Sequence, residues 1–564
     1  MPGKDENAEC QGNIKSEIQA VKMLCRTTVK SEQAIAISTD EPMSQGLDRH
    51  LVVDRLPAAV WIVAIAGAAE RFAYYSLSAP LQNYIQNERN STAVPGALGL
   101  GQQTATNLSN MFLLLQFISP IPFAICSDMR YGRQKTLMFS LGIYQCGSLI
   151  LLLTSLPIAL DRGAGLPGLI VAMILLAVGV AGVKATLPPF LVDQYSRSEE
   201  VVLKAKGNKA LIADRTLTIQ FITNMFFWLT NIASLSSLAS TWIEKKVDFW
   251  ASYLMGFVSL FVTIILIYFW QHKLVNLDSR GSVLPLSMKA LWCAMRHRFS
   301  LDAASPDTQK QSYGRNVPWD SSIIDDLRKA LTVCRVLLFS APFYLAYIQI
   351  MNNLISQAGQ MRLGGIPNDT MQVWNPVACI VFGPIIQRGL FPLVRKAGVP
   401  FGPIVRISIA CLIMGAAMAC AAGIQHVIYS RGPCYNHPLG CDEAVVQQGS
   451  STVTVGNDIS VWLQMPVWMI LAIAEILGFA TISEIAYEQA PKSMKSVVQA
   501  VTQLTAGLAA VIGIALSPIT KDPTLVILYS VISGLTVVAA FPFWFYFRTL
   551  DYKKPEADSS SRET

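Results

Sequence analysis

From Pro57 onward the chain is written in long apolar runs separated by short polar stretches. An α-helix needs about 20 apolar residues to cross the hydrocarbon core of a bilayer. Candidate spans begin near Pro57, Thr104, Gln134, Pro167, Leu217, Phe249, Ala330, Met371, Phe401, Val461, Lys495 and Thr524. The pattern predicts twelve transmembrane helices, and residues 272–329, the longest internal loop, split them six and six. The expected fold class is an all-α polytopic membrane protein, with two six-helix bundles around a central cavity. On this reading 1–54 is a disordered cytosolic segment and 55–271 the N-terminal bundle. Residues 272–329 form a cytosolic inter-bundle loop, 330–548 the C-terminal bundle and 549–564 a cytosolic tail.

Composition agrees with a lipid environment. Of 564 residues, 52% are hydrophobic and 14% charged, against about 25% charged in soluble domains. The net charge of +7 is not a nucleic-acid signal here, because the basic residues sit in loops between apolar runs. They concentrate after the even spans, in "DMRYGRQK", "KAKGNK" and "RHRF". A roughly threefold Lys/Arg excess on that side places both termini in the cytosol. Glycosylation sequons at Asn90 ("NST") and Asn368 ("NDT") fall in loops assigned to the outside. Cys434 and Cys441, in "CYNHPLGC", also fall there, where oxidation allows a disulfide. The 11 cysteines show no paired CxxC spacing, so no metal is expected.

Charge at membrane depth then changes the picture. "ERFAYYSLSAP" places Glu70, Arg71, Tyr74 and Tyr75 inside the first span. Lys184 lies in the fourth span, and Glu475 and Glu484 in the tenth. An unpaired charge at a helix centre costs about 2.5–3.5 kcal/mol on insertion scales, so these groups need partners or water. Adjacent residues project about 100° apart on a helix, which leaves Glu70 open to pairing with Lys184. Span five adds Gln220, Asn224 and Asn231, with Trp228 close by, and span seven adds Tyr347, Gln349, Asn352, Asn353 and Gln357. Asn375 and Pro376 open span eight, where the proline is expected to kink the helix. Polar residues in membrane bundles also serve as interhelical glue. Unpartnered acids and a lysine on several spans favour a polar, tyrosine-bearing cavity instead.

These stretches carry a resemblance. "ERFAYYSLSAP" resembles the ERFxYYG signature of the proton-coupled oligopeptide transporter family, within the major facilitator superfamily. "GVAGVKATLPPFLVDQY", "MFFWLTNIASLSS" and "AEILGFATISEIAYEQAPKSMKSVVQA" resemble its fourth, fifth and tenth helices, in that order. "SDMRYGRQKT" is similar to the facilitator loop between spans two and three, and the fungal branch looks closest. The resemblance covers roughly residues 55–548 and implies a proton-driven importer of di- and tripeptides by alternating access. It carries proton coupling onto Glu70, Arg71 and Lys184, and substrate binding onto Tyr74, Tyr75, Lys184, Asn231, Asn375 and Glu475. It implies no cofactor beyond the proton, no nucleic-acid partner and a monomer.

Charge matching supports those roles independently. A zwitterionic peptide has one anion and one cation at a nearly fixed separation, so Arg71 and Lys184 on one half and Glu475 on the other clamp both ends. Three departures stand out: Gly67 replaces the first acid of an ExxER frame, Ser76 replaces the glycine after the tyrosines, and span seven lacks an acid in "LAYIQIMNN". They leave open a transporter of a specialised metabolite or modified peptide, an exporter included, or a non-transporting nutrient sensor. No HExxH, GxSxG or GxGxxG motif near a span end points to an enzyme.

Overall fold

The computed structural model describes residues 48–89, 94–195, 201–206, 209–276, 284–297, 300–397, 401–448, 451–488 and 495–551. Asn90 and most of the two ends expected to be disordered lie outside these residues. By contact the chain falls into two units, 1–61 with 192–225 and 62–191 with 226–564.

The first unit holds a sheet that the apolar pattern did not announce. Strand β1 (Asp48–Val52) runs parallel to β3 (Lys209–Ala213), and β2 (Val201–Lys206) runs antiparallel to β3. The stretch "VVLKAKGNKALIA" contains the basic loop segment "KAKGNK". Its valines and aliphatic residues around a Gly-Asn pair are nonetheless a hairpin pattern. The expectation of disorder through residue 54 is corrected at its end, because β1 finds its backbone partners far along the chain. Asp54 anchors the strand: its N–H donates to Thr218 Oγ1 at 3.0 Å, and Tyr195 Oη donates to its carboxylate at 2.9 Å.

The helices that matter for the site are α1 (Ala58–Ser78), α2 (Leu81–Gln86), α3 (Gly101–Ile118), α4 (Arg133–Thr154) and α5 (Gly165–Asp193). They continue with α6 (Arg215–Ser234), α7 (Ser236–Lys246), α8 (Phe249–Trp270), α9 (Ser321–Leu338), α10 (Ala341–Tyr347) and α11 (Asn353–Gly359). The last five are α12 (Trp374–Ile385), α13 (Pro403–Ser430), α14 (Met465–Glu488), α15 (Lys495–Ala515) and α16 (Leu525–Phe547). Among the described residues, eight helices are long and apolar enough to cross a membrane, or nine if the bent pair α9 and α10–α11 is one span. Helices α1, α6 and α12 stand where spans one, five and eight were expected; the first carries Glu70 and Arg71 in its interior.

In the second unit α13 packs along α14 and α16, α4 along α8, and α15 against α3. Helices α4 and α5 cross closely because Gly179 faces Tyr144: a Cβ there would stand 2.6 Å from the Tyr144 backbone. Small residues of this kind let membrane helices touch without help from the hydrophobic effect. The inter-bundle loop is not featureless. It contains helices at Leu284–Arg296 and Pro306–Tyr313, and Ala290, Ala294, Ala304 and Trp319 are buried in one cluster with Ile324 and Leu327 of α9.

Two sequence expectations about the second half change. Pro376 does not kink its helix: it lies in the first turn of α12, where a missing N–H has no intrahelical partner to lose. The irregularity comes later, at Pro384 and the π-helical turn Ile386–Leu390. The polar residues of span seven do not line the cavity as a set. At the Ser78 end of α1 several of them bond the two halves together: Thr106 Oγ1 donates to Asn353 Oδ1 at 3.1 Å and Asn352 Nδ2 to Asn110 Oδ1 at 3.2 Å. Thr241 and Thr370 hydroxyls lie 2.8 Å apart across the same seam. Gln357 stays within the second half, bonded to Gln425 at 2.9 Å.

The two outer-loop expectations diverge. Cys434 and Cys441 are joined by a disulfide, with Cα atoms 5.5 Å apart. Asn368 is 1% exposed, donates to Asn83 Oδ1 at 2.9 Å and to the Ile355 carbonyl at 3.1 Å, and accepts from Asn83. Glycosylation needs a solvent-exposed amide, so the sequon at Asn368 is corrected to a buried interhelical contact.

Candidate functional site

Glu70 and Arg71 face one another despite being neighbours. Arg71 Nε donates to Glu70 Oε2 at 2.6 Å and Nη2 to Oε1 at 2.7 Å. Both side chains are long enough to fold back across the helix face, so the 100° between their Cα–Cβ directions does not separate the charged ends. The pairing of Glu70 with Lys184 is thereby corrected. The fork uses both carboxylate oxygens, which is the strong, bidentate form of the contact. Glu70 is 1% exposed and Arg71 16%, so the acid lies behind and the guanidinium in front, towards the cavity.

Lys184 takes a different partner. Its Nζ donates to Gln116 Oε1 at 3.0 Å and lies 5.5 Å above the Tyr74 ring and 5.2 Å above the Phe117 ring. Tyr74 Oη reaches the same Gln116 oxygen at 3.3 Å, and Arg71 stands 5.0 Å over the Tyr74 ring. Tyr74 thus has two cations within reach of its ring, each attracted by the π system. When ionised, the first half presents two positive charges against one carboxylate, an excess of +1 facing the cavity. Gln116 was missed by the sequence reading, although a glutamine inside the apolar "FLLLQFI" was its signal.

These groups line a cavity of about 240 Å³. Arg71, Tyr74, Tyr75 and Lys184 form one wall, and Tyr344, Tyr347 and Phe479 another. Tyr75 and Tyr347 are also the aromatic neighbours of Glu475 on α14, whose carboxyl faces Asn375 and Cys379. Glu475 Oε2 and Asn375 Nδ2 are both buried without a hydrogen-bond partner among the described residues. A buried acid with a free oxygen is costly unless something else binds there. Glu475 and Asn375 do not themselves line the cavity; Tyr75 and Tyr347, which do, are the acid's neighbours, so the cations line one half and the acid stands beside the tyrosines.

Not every expected residue joins it. Asn231 donates to the Phe227 carbonyl of its own helix at 2.9 Å and does not line the cavity. Glu484 is half-buried in an ion pair with Arg406 at 2.9 Å. The missing acid at Gly67 has a structural counterpart: a Cβ there would lie 2.6 Å from Phe226 Cε2 and 2.9 Å from Leu187 Cδ2. An aromatic ring occupies the space in which an acidic side chain would start.

The profile of the POT family matches residues 134–534. The peptide transporter PTR_A of Candidozyma auris is 34% identical over 508 residues, 90% of this chain and 84% of that protein. Peptide transporter PTR2 of Saccharomyces cerevisiae is 31% identical over 515 residues, 91% of this chain and 83% of its own length. In fold the chain is similar to the crystal structure of the POT family transporter PepTSo, with a TM-score of 0.70 at 17% identity, covering 89% of this chain and all of that one. A family match over residues 134–534, relatives above 30% identity over 84% and 83% of their own lengths, and a helical membrane fold around a charged cavity converge: the chain belongs to the POT family of transporters.

Proposed function

We propose that the protein is a proton-coupled importer of di- and tripeptides, a multi-pass plasma-membrane monomer with both termini in the cytosol and no cofactor beyond the proton. The observation that carries this reading is the charge layout around the cavity: an excess positive charge from Arg71 and Lys184 on one half and, on the other, Glu475 with one buried carboxyl oxygen that no donor meets among the described residues. A peptide carboxylate satisfies the first and a peptide ammonium the second, while the tyrosines accept varied side chains. Solved POT transporters at 14% and 16% identity hold alafosfalin and a thioalcohol-conjugated peptide, which agrees with a substrate of this class. Polar bonds closing the Ser78 end of α1, read as the outer gate, correspond to a state closed to the outside. Glu70 is the coupling acid in this reading: a proton on it releases Arg71 to the substrate carboxylate.

The test is uptake of a labelled dipeptide in cells lacking their own peptide transporters. Uptake should be several-fold faster at external pH 5.5 than at 7.5 and should collapse with a protonophore. Equal uptake at both pH values, or none above empty cells, overturns the reading. The space at Gly67 favours a second possibility, a transporter of a modified peptide or specialised metabolite, since Phe226 takes the place of a coupling acid. Competition of dipeptide uptake by such compounds separates the two.

A further inference from the structure

Two carboxyls that the binding site does not use meet at the closed end. Glu244 lies near the end of α7, beyond the apolar run of span five, and Asp369 lies on the 3₁₀ turn Asn368–Val373 of the second half. Both are buried, at 4% and 0% exposure. Asn83 Nδ2 donates to Glu244 Oε1 at 3.3 Å, while Glu244 Oε2 and both Asp369 side-chain oxygens lack a conventional donor among the described residues. The two carboxyls are each other's hydrogen-bonding neighbours.

Two ionised carboxylates have only acceptors, so such a contact requires a proton between them. The cation facing the pair is Lys245, near Asp369, but its hydrogen bond goes elsewhere: Nζ donates to the Gly365 carbonyl at 2.8 Å, with Lys246 beside it. Asp248 adds a further negative charge towards Glu244. Tyr253 on α8 faces both acids, Tyr84 on α2 faces Asp248 and Tyr253, and both tyrosine hydroxyls are buried without a partner. The backbone N–H groups of Asp369 and Thr370 lie near the Asp369 carboxyl without completing a hydrogen bond to it. Burial pushes Asp369 up to about 7, and burial with the facing Asp369 pushes Glu244 well above the usual carboxylate range.

We propose that Glu244 and Asp369 form a proton-binding lock on the outer gate, which closes when the pair takes up one proton from the outside. The proposal rests on reading the Ser78 end of α1 as that gate. In the open state the halves separate and both carboxylates are hydrated and ionised. On closure one carboxylate oxygen accepts a proton and the resulting O–H donates to the other carboxylate; on reopening that proton returns to the same side. No bond other than O–H forms or breaks. This proton sets the closing equilibrium and is not carried across the membrane.

The sign follows from linkage. The closed state holds the pair at raised values and the open state at ordinary ones, near 4. Closure is therefore fully favoured below about 4 and weakens as pH rises into the raised range of the closed pair, where Asp369 stands at about 7 and Glu244 is also raised, by up to tenfold per unit for one proton. External acid closes the gate, and alkali opens it.

The experiment uses the full chain in lipid nanodiscs without peptide. Spin labels go on Val247→Cys and Val445→Cys, both exposed, with exposed Cys126 and Cys146 replaced by serine. Pulsed electron resonance should show the ratio of short to long distances falling at least tenfold from pH 5.5 to 8.5. The double variant Glu244→Gln with Asp369→Asn, which removes both titrating carboxyls and leaves amides that bond each other without a shared proton, should stay closed across that range with a change under twofold, whereas Glu244→Gln alone keeps a reduced response because burial still raises Asp369. A wild-type ratio that does not move overturns the lock, and that titration needs no variant; so does a full pH response in the folded double variant. Because no peptide is present, a failed dipeptide uptake assay with the pH shift intact overturns the substrate reading alone.

Discussion

Glu70 directs both oxygens at one guanidinium, and that geometry sets what its replacement should do. Glu70→Gln mimics the protonated form permanently and weakens the hold on Arg71. Peptide binding and exchange should persist, while accumulation against a gradient disappears and the pH dependence of uptake flattens; counterflow and net uptake in proteoliposomes read the two separately. Retained accumulation with the wild-type pH profile would make Glu70 a purely structural partner. Arg71→Ala differs, because it strands a buried carboxylate, a defect worth about 3–5 kcal/mol. It should lower folded yield on size exclusion, whereas Lys184→Ala, whose partner is the neutral Gln116, should fold normally and lose accumulation at least tenfold. Gly67→Glu should not restore a second acid. It drives a side chain into Phe226 and costs about 1–3 kcal/mol by overpacking, seen as a lower Tm that Phe226→Ala recovers.

At the scale of elements, the broken seventh span shows how irregular backbone is tolerated inside a membrane. Between α10 and α11 the chain passes through a 3₁₀ turn, Ile348–Met351, and bends by 42° from α9 to the α10–α11 segment. Such a break survives where side chains take over the freed backbone groups and no lipid reaches them. Asn352 caps α11 by accepting from the Asn353 N–H at 2.6 Å, and Tyr529 Oη donates to the Asn353 carbonyl at 2.8 Å. Asn353 also receives bonds from Thr106 and Gln102 of the other half. Asn353→Ala removes these cross-half bonds while leaving the cavity lining unchanged. It should shift the spin-label distances towards the open state at every pH and leave the slope with pH intact, a result that separates gate strength from gate protonation.

At the scale of the whole molecule, binding requires both halves at once. Glu475 is on α14 and the cations are on α1 and α5, so a free peptide bridges the halves by its two ends. Glu475→Gln should abolish uptake of ordinary dipeptides while sparing substrates with a blocked amino group, measured as the ratio of the two uptake rates. Wild-type protein that carries free and N-blocked peptides equally well would remove that role from Glu475.

Sequence alone determined the membrane class, the apolar runs and the residues that carry charge at depth, because burial in lipid imposes a composition that each segment shows locally. It located Glu70, Arg71, Lys184, Glu475 and both tyrosines, since a charge in an apolar run stands out without knowledge of its partner. Only the tertiary structure decided the pairings. Glu70 meets Arg71 and not Lys184, Lys184 meets Gln116, and Phe226 fills the place left by Gly67. Asn368 and span seven's amides became seam contacts, and β1 found a sheet, for the same reason. A hydrogen-bond partner or a filled space is a relation between distant positions, fixed when helices pack, and no local pattern of hydrophobic and polar residues records it.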